Sequence, residues 1–457
     1  MIVKEVAMNR RDFIKKSGLG ALALGLAGPT VANAVSGGAA RKQIEWSIKR
    51  KKWQSLGPFD FVPQLDEGQQ WANRSLIKYG TVEPPNGGLR SMRSACMPAE
   101  SCAHYYAMTG DAITLRALKA AVRTFRKYRH KARAHRVSYE EIKKPVEIDF
   151  KGLTEEEPTI EYEMISCHVG RNMRGMRAAA HALQDEQLLR EVAEELNWWI
   201  DNPIAFNREK HFFDARVFLD ENGKTIGSER KYTMNMGGSL ACAMWLVGND
   251  LGDQRLKDYG EDQVINGIAP HQLDNGYFPY NIKHKYKLRD GIALDSNYYH
   301  ALTLQVISSL LAYREWRSKP KYVEMMRRGT KYLRKLIQDN GVVKHPGHID
   351  VIRAKELNFC PKQPFGITSD SVLTHTRIYK YLGDKEALAA AAKNLRWMHW
   401  NSPSCIPFLT TDSKLGMEHV ASEWGFSHSF RQIMLAAWEG MHLNRKGIRD
   451  VEVVFLA

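Results

Sequence analysis

One turn recurs between stretches of helical periodicity, and it constrains the fold of this chain more than any other feature. Tyr106 to Asp111 contains Gly110-Asp111, Ala182 to Asp185 contains Gln184-Asp185, Gly248 is followed by Gly252-Asp253, and Tyr381 to Asp384 contains Gly383-Asp384. Glycine suits the left-handed residue that ends a helix. Aspartate suits the position that caps the next one, accepting its free N–H groups. The aspartates 111, 185 and 253 are 74 and 68 residues apart, and Asp384 lies 131 beyond Asp253, near two further periods with a degenerate junction at Ser318-Lys319-Pro320. Each period holds one helix pair with its loops, so five or six pairs fit. Stacked pairs bury a continuous core that a single pair cannot. The predicted fold class is therefore all-α, an (α/α) toroid of five to six helical hairpins.

Apolar stripes place the helices. Leu115, Leu118, Val122 and Phe125 recur at helical spacing, as do Leu188, Val192, Leu196 and Trp199, and then Tyr322, Met325 or Met326, Leu333 and Leu336. Two segments read instead as extended: Val146 to Tyr162, which follows Pro145 and contains Pro158, and Phe212 to Tyr232, where Glu221-Asn222-Gly223 is a hairpin turn signal. They predict small β-hairpin insertions in the loops. A composition of 44% hydrophobic, 26% charged and 10% aromatic residues excludes disorder, collagen-like repetition and a small disulfide scaffold.

The first segment reads as an address. Asn9-Arg10-Arg11-Asp12-Phe13 through Lys16 is charged with adjacent arginines, Gly18 to Val31 is apolar, and Ala32-Asn33-Ala34 is a small-residue cleavage site. This resembles a twin-arginine signal peptide. The apolar stretch falls short of the roughly 20 residues of a membrane-spanning helix, so no stable membrane insertion is expected. The predicted organisation is a signal over residues 1–34 and one catalytic toroid over 35–457, in a protein exported to the periplasm or secreted.

Lys+Arg 66 against Asp+Glu 51 gives a net charge of +15, which falls to +12 when Lys4, Arg10, Arg11, Lys15, Lys16, Glu5 and Asp12 leave with the signal. Polyanions are favoured partners. The run Arg116, Lys119, Arg123, Arg126, Lys127, Arg129, Lys131, Arg133, Arg136 has no acid between its members. No nucleic-acid-binding motif accompanies it, so it reads as a solvated face, with an acidic glycan as the functional alternative. The six cysteines show no metal-ligand spacing and are expected to be mostly buried free thiols. His345-Pro346-Gly347-His348 is an unspecific metal match, and nothing resembles a phosphate loop or dinucleotide fingerprint, so no metal or cofactor is expected.

Polar groups crowd the starts of two apolar helices. One segment is Lys231-Tyr232-Thr233-Met234-Asn235-Met236-Gly237-Gly238, and the other runs from Asp274-Asn275-Gly276 through Arg289-Asp290 to Asn297-Tyr298-Tyr299-His300. In a toroid, loops at one end converge on a central cleft. Structural alternatives stand beside this reading: Asn235 as a helix cap, and Tyr298-Tyr299-His300 as a packed aromatic helix start.

These segments resemble the helical toroid domain of uronate-polysaccharide lyases of the alginate lyase and heparinase II/III type. Such lyases carry an Asn-Asn-His-Gly-like turn at one helix start and an Asp-Gly segment leading to Tyr-His at the next. Here Met234-Asn235-Met236-Gly237 and Asp274-Asn275-Gly276 with Tyr299-His300 take those places, and Met236 stands where the family usually has histidine. The resemblance implies β-elimination on an acidic polysaccharide. Asn235 and Arg289 would neutralise the uronate carboxylate, and Tyr299 would act as base and then acid. His300, or His168, would replace the missing imidazole. His168, Arg171, Asn172, Tyr298 and Trp424 are the expected substrate-binding residues. A glycoside hydrolase using a carboxylate pair is the competing chemistry. Its candidates are Asp370 and Glu423 first, then Asp274, Asp295 and Glu418, with Trp424 and Trp400 stacking on sugars. A catalytically silent glycan binder is third.

The signal assignment has a direct test. Changing Arg10-Arg11 to a lysine pair is expected to block export, and N-terminal sequencing of the exported protein is expected to start near Val35. Exported protein that retains residues 1–34 would contradict it.

Overall fold

The recurring turns adopt the backbone that their residues favour. Gly110, Gly252 and Gly383 have φ of +69°, +74° and +72°, and Gln184 takes the same left-handed form at +54°. The aspartate after each caps the following helix. Asp111 accepts from the Ile113 and Thr114 N–H groups, Asp185 from Leu188, Asp253 from Leu256 and Asp384 from Ala387.

The computed structural model describes residues 44, 46, 62–82, 88–129, 135–136, 148–149, 162–202, 204–220, 224–283, 288–293, 297–343, 362–401 and 435–436. The chain divides after Gln43, and all of these belong to the second unit, Ile44–Ala457. The signal segment, the Glu221-Asn222-Gly223 turn, Asp295, His345, His348, Cys360, Cys405, Glu418, Glu423 and Trp424 lie outside the described residues. Among the described residues no helix is long and apolar enough to cross a membrane.

The helices alternate between two layers. The outer layer is α1 (Val62–Tyr79), α3 (Ala112–Tyr128), α5 (Glu186–Asp201), α7 (Gln254–Asp262), α9 (Pro320–Lys335) and α11 (Lys385–Asn401). The inner layer is α2 (Gly88–Thr109), α4 (Ser166–Leu183), α6 (Met234–Leu251), α8 (Asn297–Ile307) and α10 (Lys362–Leu382). Each inner helix packs on the next, α2 on α4, α4 on α6, α6 on α8 and α8 on α10. The described residues thus hold five outer–inner pairs and a further outer helix of an (α/α) toroid.

Glycine sets the spacing of the inner layer. A Cβ on Gly175 would lie 1.8 Å from the Cys96 carbonyl oxygen, and one on Gly170 would lie 2.4 Å from the Ser239 carbonyl carbon. Only a residue without a side chain permits such an approach. Cys96 and Gly175 are the ninth and tenth residues of α2 and α4, and Gly170 and Ser239 the fifth and sixth of α4 and α6. Arg93 beside His168 and Arg177 on Asp250 repeat these pairings at similar offsets, so α2, α4 and α6 run parallel and in step. The Cys242 thiol, donating to the Val306 carbonyl at 3.6 Å, continues that register from α6 to α8.

The apolar stripes face inward as the periodicity requires. Leu118, Phe125, Leu188, Val192, Leu196, Trp199, Tyr322 and Leu333 are all buried. Cys96, Cys102, Cys167 and Cys242 are buried free thiols. The basic run divides. Arg116, Lys119 and Arg123 are solvated, whereas Arg126 bridges to Asp185 and Glu191 at 3.1 and 2.8 Å. The buried Arg129 pairs with Glu194 and reaches Glu191 and Glu195, tying α3 to α5.

The two extended segments join in one antiparallel sheet, an outcome their separation in sequence hid. Strands β1 (His135–Arg136), β2 (Ile148–Asp149), β3 (Tyr162–Ile165), β6 (Arg216–Leu219) and β7 (Thr225–Glu229) take the order β1-β3-β6-β7-β2. Two small hairpins, β4 (Phe206–Asn207) with β5 (Phe212–Phe213) and β8 (Leu288–Arg289) with β9 (Ile292–Ala293), accompany it. β3 runs directly into α4, and β7 leads to α6, so the sheet stands at the starts of the inner helices.

Substituting Gly175 by Ala is expected to destabilise the protein by about 1–3 kcal/mol through overpacking against α2. Gly238→Ala, whose Cβ would meet nothing closer than 3.4 Å, is expected to be neutral or stabilising. Equal urea midpoints for the two variants would contradict the spacing role of Gly175.

Candidate active site

The parallel register gathers the N-terminal turns of the inner helices at one end. From α2 comes Arg93, whose guanidinium lies 3.2 Å from His168 Nε2 on α4. The same end of α4 carries Cys167, Arg171 and Asn172. Burial raises the Cys167 thiol, while the nearby charges of Arg171, Arg93 and Arg216 oppose that rise. Three guanidinium groups, from α2, α4 and β6, are therefore within electrostatic reach of one thiol. Arg216 is held by Glu229 across the β6–β7 ladder at 3.0 Å.

The α6 start is positioned by pairing with the loop that follows α7. The Met234 N–H donates to the Tyr280 carbonyl at 3.2 Å, and the Ile282 N–H to that of Tyr232 at 3.2 Å. This sets Tyr280 beside the Asn235 turn, with the Lys231 ammonium 5.1 Å above its ring. The cap of α6 is Thr233, so Asn235 lies inside the first turn rather than capping it. Asn235 is 4% exposed and its Oδ1 has no hydrogen-bond partner among the described residues; the same is true of Arg171 Nε, 7% exposed, and of Asn172 Oδ1. Met236 is half-buried in the same turn.

Phenols cluster at the same end. Tyr299 at the start of α8 is half-buried, with its ring 4.1 Å from that of Tyr280 and 5.4 Å from that of Tyr298. Burial pushes Tyr280 well above the ordinary phenol range, and the adjacent Tyr299 adds to the shift. Burial likewise raises Tyr298, with the Asp370 charge from α10 adding to the effect and Arg171 opposing it. Arg171, Tyr298 and Asp370, from three inner helices, are thus within electrostatic reach of one another. Asp370 is fully buried.

His300 takes a different place from the one its sequence neighbourhood suggested. It is fully buried; its Nδ1 accepts the Phe278 N–H at 3.0 Å and its Nε2 donates to the Gly329 carbonyl at 3.1 Å. Burial lowers its pKa to about 3. Both nitrogens are committed to backbone, so the imidazole has neither lone pair nor proton to offer a substrate, and the expected relay through His300 gives way to a structural role. It fixes the segment from Tyr277 to Tyr280 that supplies the Tyr280 phenol. Asp274 is fully exposed in its turn. The Arg289 side chain, like Glu423 and Trp424, lies outside the described residues, as does the Trp400 side chain.

Arg93, Arg216 and Tyr280 were not singled out from sequence. Tyr280 sat within a segment already suspect, but Arg93 and Arg216 carry no local signal, since only helix register and strand pairing bring them to α4.

No family model matches the sequence, and no curated protein matches it. Solved structures match in fold. A polysaccharide lyase superposes with a TM-score of 0.52 at 10% identity, over 84% of this chain and 98% of that one. Lin0763 from Listeria innocua gives 0.51 at 12% over 83% and 99%, and a sugar epimerase from a ruminal bacterium 0.50 at 11% over 83% and 99%. At these identities the likeness shows the fold. The chain is an (α/α) toroid with small β-hairpin insertions, as its resemblance to the helical-toroid lyases led one to expect.

His300 makes the stability pH-dependent with a defined sign. The folded protein keeps it neutral down to about pH 3, whereas the unfolded chain protonates it near 6.5. Its contribution is fully present above about pH 6.5 and is lost as pH falls toward 3. Urea midpoints measured between about pH 7 and 4.5 are expected to fall, and less steeply in His300→Gln. An unchanged slope in the variant would show that His300 is not held neutral.

Proposed function

We propose that the protein is a carbohydrate-active enzyme that cleaves an acidic, uronic-acid-containing polysaccharide by β-elimination. One observation carries this. At the starts of the inner helices a buried guanidinium N–H (Arg171 Nε) and a buried amide oxygen (Asn235 Oδ1) lack partners among the described residues, and the charges of Arg93 and Arg216 act with that of Arg171 on Cys167. Leaving such groups unpaired costs about 1–3 kcal/mol each. A uronate supplies both complements, a carboxylate that accepts and hydroxyls that donate. The polysaccharide lyase and the sugar epimerase that share the fold support sugar chemistry as the general class.

The residues divide the reaction between them. Arg171, Arg93 and Arg216 neutralise the carboxylate, which lets the neighbouring carbon carry charge as its proton leaves. Tyr280 and Tyr298 stay protonated because they are buried, so the phenol wall donates protons. Tyr299, the half-buried member, gives its proton to the glycosidic oxygen. His168, half-buried on the facing helix, accepts the proton from the carbon that bears the carboxylate. The electron pair of that C–H bond becomes the new carbon–carbon double bond as the bond to the glycosidic oxygen breaks. Asn235 holds the sugar in place.

The product distinguishes this reaction from hydrolysis. β-Elimination leaves a conjugated unsaturated uronate that absorbs in the ultraviolet. Digestion of a polyuronate is expected to raise that absorbance, with most of the rate lost in Tyr299→Phe and a loss of about 10–1000-fold in Asn235→Ala. New reducing ends without the absorbance, abolished by Asp370→Asn but retained in Tyr299→Phe, would make the enzyme a hydrolase.

A further inference from the structure

His168 is the third residue of α4 and Arg93 the sixth of α2, and the register of these helices brings their side chains to 3.2 Å. A guanidinium has five N–H donors, no acceptor and a permanent charge. Its contact with Nε2 therefore fixes the state of the ring. Nε2 carries the lone pair, the ring proton is on Nδ1, and the imidazole is neutral. The lone pair that a proton acceptor would use is covered by an Arg93 N–H. Both side chains are half-buried, and Arg93 belongs to the cationic set that acts on Cys167 with Arg171 and Arg216.

A carboxylate is a better partner for that guanidinium than a neutral imidazole, because charge-assisted hydrogen bonds are about twice as strong and can be bidentate. We propose that Arg93 is a carboxylate-operated latch on His168: it sits on the Nε2 lone pair in the free protein and transfers to the carboxylate of an entering uronate. The proposal rests on the uronate chemistry assigned above to the same cleft. One movement then meets two requirements. The carboxylate is neutralised, and Nε2 is freed to take the proton from the carbon beside it. The C–H electron pair forms the double bond, the glycosidic bond breaks toward oxygen, and the proton of Tyr299 completes the leaving hydroxyl. A neutral sugar has no group to draw Arg93 away, so the base stays covered. Selectivity for acidic sugars comes from a contact that must be broken as well as from one that is made.

Nitrogen-15 NMR of histidine-labelled protein tests the latch, with the His168 signal identified by its loss in His168→Gln and a saturated uronate disaccharide as probe. In the free protein the Nε2 resonance is expected where an unprotonated, hydrogen-bonded nitrogen falls. Adding the disaccharide is expected to move it downfield, to the position that Arg93→Ala shows without ligand. Arg93→Ala is also expected to weaken disaccharide binding by about 10–100-fold. Binding that perturbs other residues while the His168 resonance stays at its free position would overturn the latch and leave the uronate site standing. No binding at all would remove both.

Discussion

The carbonyl oxygen of Cys96 lies where a side chain on Gly175 would begin, and the Ser239 carbonyl stands in the same relation to Gly170. These backbone approaches set the height of α4 against α2 and of α6 against α4. The proposed chemistry depends on that height. A slip of one turn would shift His168 by about 5.4 Å relative to Arg93 and would separate Arg171 from Tyr298. Loops alone would not hold five helix starts in step, because a loop fixes where a helix begins far less firmly than a packed interface does. The outer helices, the capped turns and the sheet are consistent with this inner arrangement.

With the register fixed, the character of this end of the inner layer follows from the side chains that the inner helices and the segments leading into them carry. Arginines arrive from α2, α4 and β6, phenols from α8 and the loop before it, and a carboxylate from α10. Burial raises the Tyr280 and Tyr298 phenols and leaves them as acids. The guanidiniums keep their charge wherever they sit. The result is a cationic, hydrogen-bond-rich end over a largely apolar body, the feature on which the proposed binding of an acidic sugar rests. His300 shows the other use of polar groups in this fold. Dry and doubly bonded to backbone, it orders a loop and takes no part in proton transfer.

Much of the fold was legible in sequence because its signals are local. Gly110-Asp111 and Gly383-Asp384 announce helix ends by backbone preference, and stripes such as Leu188, Val192, Leu196 and Trp199 mark buried faces by periodicity. The sheet was legible only as two extended segments, because strand pairing between β3 and β6 joins residues about 50 apart with no sequence mark. The proposed site divided in the same way. Asn235, Arg171 and Tyr299 stand at helix starts where polar residues interrupt apolar patterns. Arg93 and Arg216 look like ordinary surface arginines until register brings them to Cys167. His300 misled for a related reason: adjacency to Tyr299 in sequence places successive helical side chains about 100° apart, so Tyr299 is half-buried while His300 faces the core.

The central claim is that the mouth formed by the inner helix starts is where an acidic sugar binds. A crystal structure of the Tyr299→Phe protein with a polyuronate oligomer tests it most directly. The expected result is a sugar carboxylate within hydrogen-bond distance of Arg171 Nε and a sugar hydroxyl on Asn235 Oδ1. An oligomer bound elsewhere on the toroid, with Arg171 and Asn235 untouched, would contradict the account.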